Sequence, residues 1–215
     1  MNEEQPAIQQ PAVRLVVGAD KPGAKISPTM WGIFFEDINF GADGGLYAEL
    51  VKNGSFEFPD PLMGWMRLSP SLANGQLSVC DESPCNTVNR HYLHIESKGT
   101  APFGVANEGF RGMGMRQGEG YNFLAKVRKV SGAPVLRIAL YSADGSLLDS
   151  LKLQGFSSNW ENATAKLHPN RSDAKAKLYV LVEGEGAVDL DVVSLFPERT
   201  WKNRPGGLRA DMVQI

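Results

Sequence analysis

Alternating apolar and polar residues dominate the chain after Gly54, and they predict a β-rich domain. Eight segments carry this pattern, separated by the Gly, Pro, Asp, Asn and Ser residues that are typical of turns. The segments are YLHIES, FGVAN, YNFLAKVRKV, VLRIALYS, LLDSLKLQG, ENATAKLHP, AKLYVLVEGEG and AVDLDVVSLF. Because short strands at this spacing are typical of sandwiches, we expect an antiparallel jelly-roll β-sandwich over residues 54–197.

The chain before Gly54 has a different pattern, which predicts a strand followed by a helix. WGIFFE (Trp31–Glu36) is a nearly continuous apolar run, as in a strand buried on both faces of a sheet. In GGLYAELVKNG, apolar residues recur four apart, and Asn53-Gly54 supplies a helix C-cap. VRLVVGADKPGAKI adds two short strands around a turn. Residues 13–53 are therefore predicted to begin an α/β fold, after a disordered tail at residues 1–12.

The end of the chain returns to a helical pattern. Leu208, Met212 and Ile215 recur at the spacing of one helix face. No capping residue closes this helix, so we expect a truncated chain. Residues 198–215 are then predicted to resume the domain that residues 13–53 begin, with the β-sandwich inserted between the two parts.

Composition and charge exclude several partners. A formal net charge of −2 gives no field that would attract nucleic acid or an anionic membrane, so we expect neither. The N-terminus lacks the apolar run of a signal peptide, and no run reaches the ~18 apolar residues that span a bilayer. Cys80 and Cys85 either close a small loop or remain unpaired, and two cysteines alone do not make a zinc site.

The opening stretch also resembles a known family. ISPTMWGIFFEDINFGADGGLYAELVKNGSFEF closely resembles the N-terminal signature of the family 51 glycoside hydrolases, the α-L-arabinofuranosidases. WKNRPGGLRADMVQI resembles the point where their chain re-enters the catalytic barrel. Between them, NGSFE…GW and VDLDVVSL resemble the opening and closing strands of family 4/9-type carbohydrate-binding modules, which have a galactose-binding-like jelly roll.

The resemblance implies that the parent protein is a retaining hydrolase built on a (β/α)8 barrel. Such an enzyme releases terminal arabinofuranose from arabinan or arabinoxylan, a step of hemicellulose degradation and L-arabinose metabolism. The two catalytic glutamates of the family come from later barrel strands, so we expect no catalytic residue here and no hydrolysis by this chain alone. The expected fold is mainly β, a jelly-roll sandwich flanked by a strand–helix fragment of a truncated (β/α)8 barrel.

Two hypotheses describe the inserted sandwich. The first is a carbohydrate-binding module that delivers the enzyme to an arabinose-containing polysaccharide or oligosaccharide. The second is a structural domain that packs on the barrel or mediates oligomerisation without binding sugar. A homo-oligomer through the absent barrel fits either hypothesis, and we favour a secreted or periplasmic location.

Glu36 is the candidate substrate-binding residue. It ends the predicted strand WGIFFE, and that end of a strand faces the active site of a (β/α)8 barrel. The family carries a sugar-contacting glutamate at the matching position. The alternative is a strand-end acid in solvent or beside the N-terminus of the next helix. We expect Glu36 to contact the substrate in the full-length enzyme.

Glu57 and Asp191 are predicted to form a structural calcium site. Modules of the resembled type often hold Ca²⁺ with a glutamate from the first strand and an aspartate from the last. Calcium takes six to eight oxygens, so backbone carbonyls would complete the set. Asp189, on the same strand face as Asp191, is an alternative ligand, and ordinary outward-facing acids are the other interpretation. No other cofactor is expected.

Four aromatic residues are candidates for a sugar-stacking platform, because aromatic rings cover the apolar faces of sugars. They are Trp65, Tyr92, Tyr121 and Trp160. The alternative is packing in the core, where modules of this type often use tryptophan.

His91 and His94 are expected to be structural. They lie three apart, so they point to opposite faces of a strand and would not share a metal. The glycine-rich GFRGMGMRQGEG has no following helix, which argues against a phosphate-binding loop. It predicts an irregular loop or edge segment, with Met113 and Met115 packing on one side.

Overall fold

The computed structural model describes residues 15–30, 32, 34, 36–68, 74–99 and 101–213. The chain divides into two compact units, residues 1–36 and residues 37–215. In the part of the chain that the structure describes, no helix is long and apolar enough to cross a membrane.

The first unit contains turns but no strand or helix among its described residues. Lys21 N donates to Gly18 O, and Met30 N donates to Ser27 O. The two strands predicted over residues 13–26 are therefore not formed by residues 15–26. The predicted strand at 31–36 lies partly outside the described residues, and its described residues 32, 34 and 36 are not in a strand. Among these described residues there is no neighbouring strand to complete a backbone ladder.

The second unit is a sandwich of two antiparallel sheets. Nearly all of its regular structure consists of strands. The strands are β1 (Trp65–Arg67), β2 (Gly75–Cys80), β3 (Tyr92–Lys98), β4 (Phe103–Asn107), β5 (Met113–Met115), β6 (Tyr121–Gly132), β7 (Val135–Tyr141), β8 (Leu147–Leu153), β9 (Glu161–Leu167), β10 (Asp173–Glu183) and β11 (Glu185–Pro197). A 3-10 turn (Trp201–Asn203) and a short helix, α1 (Ala210–Val213), follow.

The strand order crosses between distant parts of the chain, as in a jelly roll. One sheet has the order β1-β4-β10-β7-β8, with β5 pairing β10, and we call it the six-stranded sheet. The other, the five-stranded sheet, has the order β2-β3-β11-β6-β9. The predicted fold class, mainly β with a jelly-roll sandwich, is confirmed.

The core lies between the two sheets and follows the period-2 pattern of the sequence. On β6, Tyr121, Phe123, Ala125 and Val127 are each at most 1% exposed, while the residues between them are partly open. The facing strand β10 buries Leu178, Val180 and Val182 in the same way. Each such large apolar side chain contributes roughly 1.5–3 kcal/mol when it leaves water. The outer face of each sheet is the side turned away from this core.

All eight predicted strand segments are present, and three further strands are short or weakly patterned. β1 and β5 have three residues each, too few to display a period. Met113 and Met115 on β5 are both buried, 1% and 2% exposed, on one side as expected.

The helix predicted from residue 45 to residue 53 is wrong. Ala48 N donates to Gly207 O at 3.1 Å and Leu50 N donates to Leu195 O at 3.0 Å, so these amides pair with distant chain instead of with carbonyls four residues earlier. Arg209 N completes the pairing by donating to Leu46 O at 2.8 Å. Tertiary pairing therefore overrides local helix periodicity, and the segments entering and leaving the sandwich lie side by side.

The predicted helix at the C-terminal end is present only as α1, four residues long. Met212 lies in it and is 42% exposed, so it does not pack as a core-facing helical residue. Ile215 lies outside the described residues.

Gly104 on β4 provides a test of the close pairing of β4 with β10. A Cβ atom at Gly104 would come 2.1 Å from the Val180 carbonyl oxygen, whereas one at Gly114 on β5 meets nothing within 4 Å. We expect Gly104→Ala to lower the free energy of unfolding by about 1–3 kcal/mol. Gly114→Ala is the matched control and should change it by less than about 0.5 kcal/mol. Urea unfolding measures both, and equal effects would contradict the close approach.

Candidate functional site

Most of the predicted site residues meet on the outer face of the five-stranded sheet. The loop of residues 81–91 folds against this face. It contributes backbone carbonyls, Cys85 and His91 to the contacts, while β3, β6 and β11 contribute most of the remaining side chains, and Glu57 and Trp160 lie outside the strands. We call this arrangement the loop-covered face.

A buried carboxylate lies at the centre of the loop-covered face. Asp189 on β11 is 2% exposed, and its register partners are His94 on β3 and Arg128 on β6. His94 Nδ1 lies 2.7 Å from Asp189 Oδ1, and Arg128 Nε donates to Asp189 Oδ2 at 2.7 Å. Both carboxylate oxygens are therefore bonded, as a buried charge requires. The oxygens of Asp189, the alternative calcium ligand, are therefore already bonded to His94 and Arg128.

The electrostatic effect of this carboxylate falls on His94. The hydrogen bond to Asp189 raises the pKa of His94 above its usual value, and partial burial of the ring only partly offsets that increase. In the fold, His94 therefore bonds to a carboxylate that favours the protonated form of its ring.

Arg128 also holds two of the predicted stacking residues. Its guanidinium lies 4.7 Å from the Trp160 ring centroid and 5.2 Å from that of Tyr92. Arg128 Nη1 and Trp160 Nε1 both donate to Ser83 O, at 2.9 Å and 3.1 Å, and Tyr92 Oη donates to Glu82 O at 2.7 Å. The Tyr92 and Trp160 rings therefore lie close together, but their polar atoms and the Arg128 guanidinium all donate to carbonyls of the loop.

Trp65 and Tyr121 lie in the core instead. Trp65 is 7% exposed, packs 5.4 Å from the Phe56 ring and donates from Nε1 to Asn53 O at 2.9 Å. Tyr121 is 1% exposed, and its hydroxyl accepts from Arg116 N at 2.8 Å. Together with Tyr92, which is 4% exposed, these rings offer no open face to a sugar. Trp65 and Tyr121 belong to the core cluster, whereas Tyr92 is buried beneath the loop on the outer face; sugar stacking by the four residues stays a prediction.

Glu57 and Asp191 lie beside the same loop. Glu57 accepts from His91 N at 2.7 Å, and its other oxygen is 2.6 Å from His91 Nδ1. Asp191 is fully buried and accepts from Cys85 Sγ at 2.9 Å and from Val192 N at 2.7 Å. Cys80 and Cys85 are both free thiols.

These contacts shift three pKa values. Burial raises the pKa of Asp191, and the nearby charge of Glu57 raises it further. Burial also acts to raise the pKa of Glu57, but the His91 hydrogen bonds outweigh it and the net pKa is lowered. Burial and the Asp191 carboxylate raise the pKa of the Cys85 thiol to about 12, so this cysteine is an unreactive hydrogen-bond donor.

The residues fit a calcium ion only in part. Two carboxylates close enough to interact are the donors that calcium prefers, but a thiol is not. Among the described residues, no group of three or more His, Cys, Asp or Glu side chains could hold a metal. Backbone carbonyls would have to complete the coordination, and the ion would displace Cys85 and His91 from the two carboxylates. Calcium at Glu57 and Asp191 stays a prediction.

Glu36 lies in the first unit and is exposed. Its role toward a substrate stays a prediction. Sequence reasoning missed Arg128 and the loop carbonyls. The available signal was weak: Arg128 was one of several outward-facing basic residues on β6, and nothing in the sequence tells which acid on β11 lies opposite.

Comparisons with known proteins agree on one group of relatives, although no family model matches the chain. The chain is 37% identical over 195 residues to an extracellular exo-α-L-arabinofuranosidase of Streptomyces chartreusis, covering 89% of this chain and 23% of that protein. It is 33% identical over 225 residues to α-L-arabinofuranosidase 1 of Arabidopsis thaliana, covering 96% of this chain and 32% of that protein. The chain therefore spans about a third or less of the length of these relatives.

Solved structures give the same result for the fold. The arabinose-bound MgGH51 α-L-arabinofuranosidase matches with a TM-score of 0.75 at 30% identity, over 84% of this chain and 31% of that one. The CBM22-1 xylan-binding domain of Paenibacillus barcinonensis Xyn10C matches with a TM-score of 0.52 at 13% identity, over 72% of this chain and 97% of that one. The second likeness concerns the fold alone, and it is that of a jelly-roll module.

The raised pKa of His94 gives stability a defined dependence on pH. A bond that favours the protonated ring stabilises the fold fully below the pKa of an unfolded histidine, about 6.5. That contribution is lost as the pH rises through the raised folded-state pKa. We expect the stability difference between the unsubstituted protein and His94→Gln to shrink over this rise. Urea unfolding across pH measures it, with exposed His168→Gln as control, and a difference that grows with pH would contradict the assignment.

The calcium prediction has a direct thermal test. An ion that binds only the folded protein adds about 2.7 kcal/mol at a concentration a hundred times its dissociation constant. Calcium should therefore raise the unfolding temperature of the unsubstituted protein and of exposed Glu198→Gln, but not that of Asp191→Asn. Identical melting curves in calcium and in chelator would refute the site.

Proposed function

Since this chain is a homologue of the family 51 α-L-arabinofuranosidases, we propose that it is the N-terminal part of a retaining glycoside hydrolase of that kind. The parent protein removes arabinofuranose from arabinose-containing plant polysaccharides. The observation that carries the proposal is similarity to named arabinofuranosidases over 89% and 96% of the chain. Because the chain spans about a third or less of those proteins, the two catalytic glutamates belong to the remaining length, and the chain alone is inactive.

In this proposal residues 54–197 form a non-catalytic module of the carbohydrate-binding type. The sandwich shares its fold with a domain named for binding xylan. The ligand of the module is then the same arabinose-containing polymer or oligosaccharide on which the parent enzyme acts. A module with this role needs an open surface, and the loop-covered face does not supply one.

A second candidate role is structural, and a cleft at the end of the sandwich favours it. The cleft has a volume of about 1150 Å³ and lies between the entering and leaving segments and residues 110–121. Phe40, Tyr47 and Phe110 line it together with Arg116 and Arg209. Phe40 and Tyr47 are 38% and 45% exposed, so part of this lining is apolar surface left open to solvent. Packing of the remaining polypeptide or of another subunit would cover it.

Glu36 supplies the test of the enzymatic proposal. The full-length parent should hydrolyse an aryl α-L-arabinofuranoside, whereas this chain alone should not. We expect Glu36→Gln in the full-length enzyme to lower kcat/KM at least about tenfold, equivalent to about 1.4 kcal/mol of transition-state stabilisation, because the amide replaces one of the two carboxylate acceptors by a donor and removes the negative charge.

The matched control is Glu96→Gln, an exposed glutamate on β3 of the sandwich, which should leave kcat/KM unchanged. A full-length enzyme without arabinofuranosidase activity would overturn the function. An active enzyme in which Glu36→Gln keeps full kcat/KM would overturn only the role of Glu36.

A further inference from the structure

The outer face of the six-stranded sheet carries a second pair of aromatic rings. Tyr141 on β7 and Tyr179 on β10 have ring centroids 4.4 Å apart and an interplanar angle of 39°. Both side chains are partly exposed. Neither belonged to the stacking residues predicted from the sequence, because a single tyrosine in a strand gives no sign of its partner on a neighbouring strand.

Small residues on both sides explain why these rings adjoin. Tyr179 is the register partner of Ala106 on β4 and of Ala139 on β7. Both alanines belong to the outer face by alternation, since the core cluster takes Val105 and Ile138 beside them. They are nevertheless fully buried, so larger side chains cover them. The result is an aromatic surface over a floor of methyl groups, with alanines at the register positions on both sides of Tyr179.

Paired charges lie on the same face beside the rings. Arg137 Nη2 donates to Tyr141 Oη at 3.3 Å, and Arg137 Nη1 lies 3.6 Å from Glu183 Oε1. Lys152 Nζ binds the other oxygen of Glu183. The Arg137 and Glu183 side chains are about one-fifth exposed, so hydrogen-bond donors and acceptors reach the surface. Both cations bind Glu183, so this border presents hydrogen-bond donors and acceptors of the kind that suit a hydroxyl-rich ligand.

We propose that this tyrosine face, defined by Tyr141, Tyr179, Arg137 and Glu183, is a binding surface for a neutral polysaccharide. The two rings stack on the apolar faces of sugar units, and the side chains of Arg137 and Glu183 bond to hydroxyl groups. In this proposal the ligand lies along the sheet face, as a stretch of polymer. The choice of arabinose-containing polymers rests on the proposed function, whereas the tyrosine face itself does not.

The contrast with the loop-covered face strengthens this assignment. There, Arg128 occupies a face of Trp160, and Tyr92 is almost fully buried. On the tyrosine face, the hydrogen bond that Arg137 donates to the Tyr141 hydroxyl is the one that the described residues show for these two rings. A pair serving the sheet alone would contribute cross-strand packing, which leucine side chains largely reproduce.

Affinity electrophoresis of the 215-residue chain through gels containing arabinoxylan or arabinan tests the proposal. We expect retardation of the unsubstituted chain, and a dissociation constant raised at least about tenfold in the double variant Tyr141→Leu, Tyr179→Leu. Tyr47→Leu, which removes an exposed tyrosine elsewhere, should bind like the unsubstituted chain. Absence of retardation in both polymers, or equal retardation of the double variant, would overturn the proposal.

Two further measurements keep the result decisive. The double variant Arg137→Gln, Glu183→Gln keeps both rings and should bind the polymer several-fold more weakly. It replaces the leucine variant if circular dichroism shows that the leucine variant is unfolded. Unchanged binding by this glutamine variant would then overturn the proposal. Sedimentation without polymer tests self-association, and a dimer abolished by the leucine substitutions would assign the face to a second copy instead.

Activity of the full-length enzyme on a small aryl arabinofuranoside separates this proposal from the function. Such a substrate does not extend to a distant surface. An active enzyme whose sandwich binds no polymer would overturn the tyrosine face alone, and an inactive one would overturn the function alone.

Discussion

The backbone pairing of β11 between β3 and β6 is the interaction on which the rest of the molecule depends. This last strand completes the five-stranded sheet and carries both Asp189 and Asp191 into the loop-covered face. At its end, Leu195 N and Ser194 Oγ donate to the carboxylate of Glu49. Burial raises the pKa of that carboxyl group, and these donors offset part of the increase. The sheet, the loop contacts and the entering segment thus all require residues from the end of the domain, so the structure depends on contacts that are distant in sequence.

The strands could be predicted from sequence because half-buried antiparallel strands impose a period of two that is visible residue by residue. β6 is the clearest case, with buried and open positions alternating from Tyr121 to Val127. The segment around Leu46 and Leu50 defeated the same reasoning, since its helical spacing was real but its backbone groups found partners near Gly207 and Leu195. Local pattern does not record which distant strand or segment completes a hydrogen bond.

The candidate site could be predicted only as a set of residue types. Glu57, Asp191, Tyr92 and Trp160 were identified as chemically capable residues, but their partners lie on other strands and in the loop. Arg128 illustrates the missing information, because its bonds to Asp189 and Ser83 depend on strand register and loop path. The two outer faces consequently differ in a way that composition does not reveal: one is covered by chain, and the other presents paired rings to solvent.

The side-by-side pairing of Leu46 with Arg209 and of Ala48 with Gly207 has a consequence for the polypeptide outside the sandwich. Paired strands are about 5 Å apart, so everything between the two segments begins and ends at nearly the same point. In the proposed parent enzyme, the whole sandwich would therefore occupy the position of an ordinary hairpin turn. A lobe whose two ends lie side by side can be gained or lost in evolution without breaking the geometry of the fold into which it is inserted.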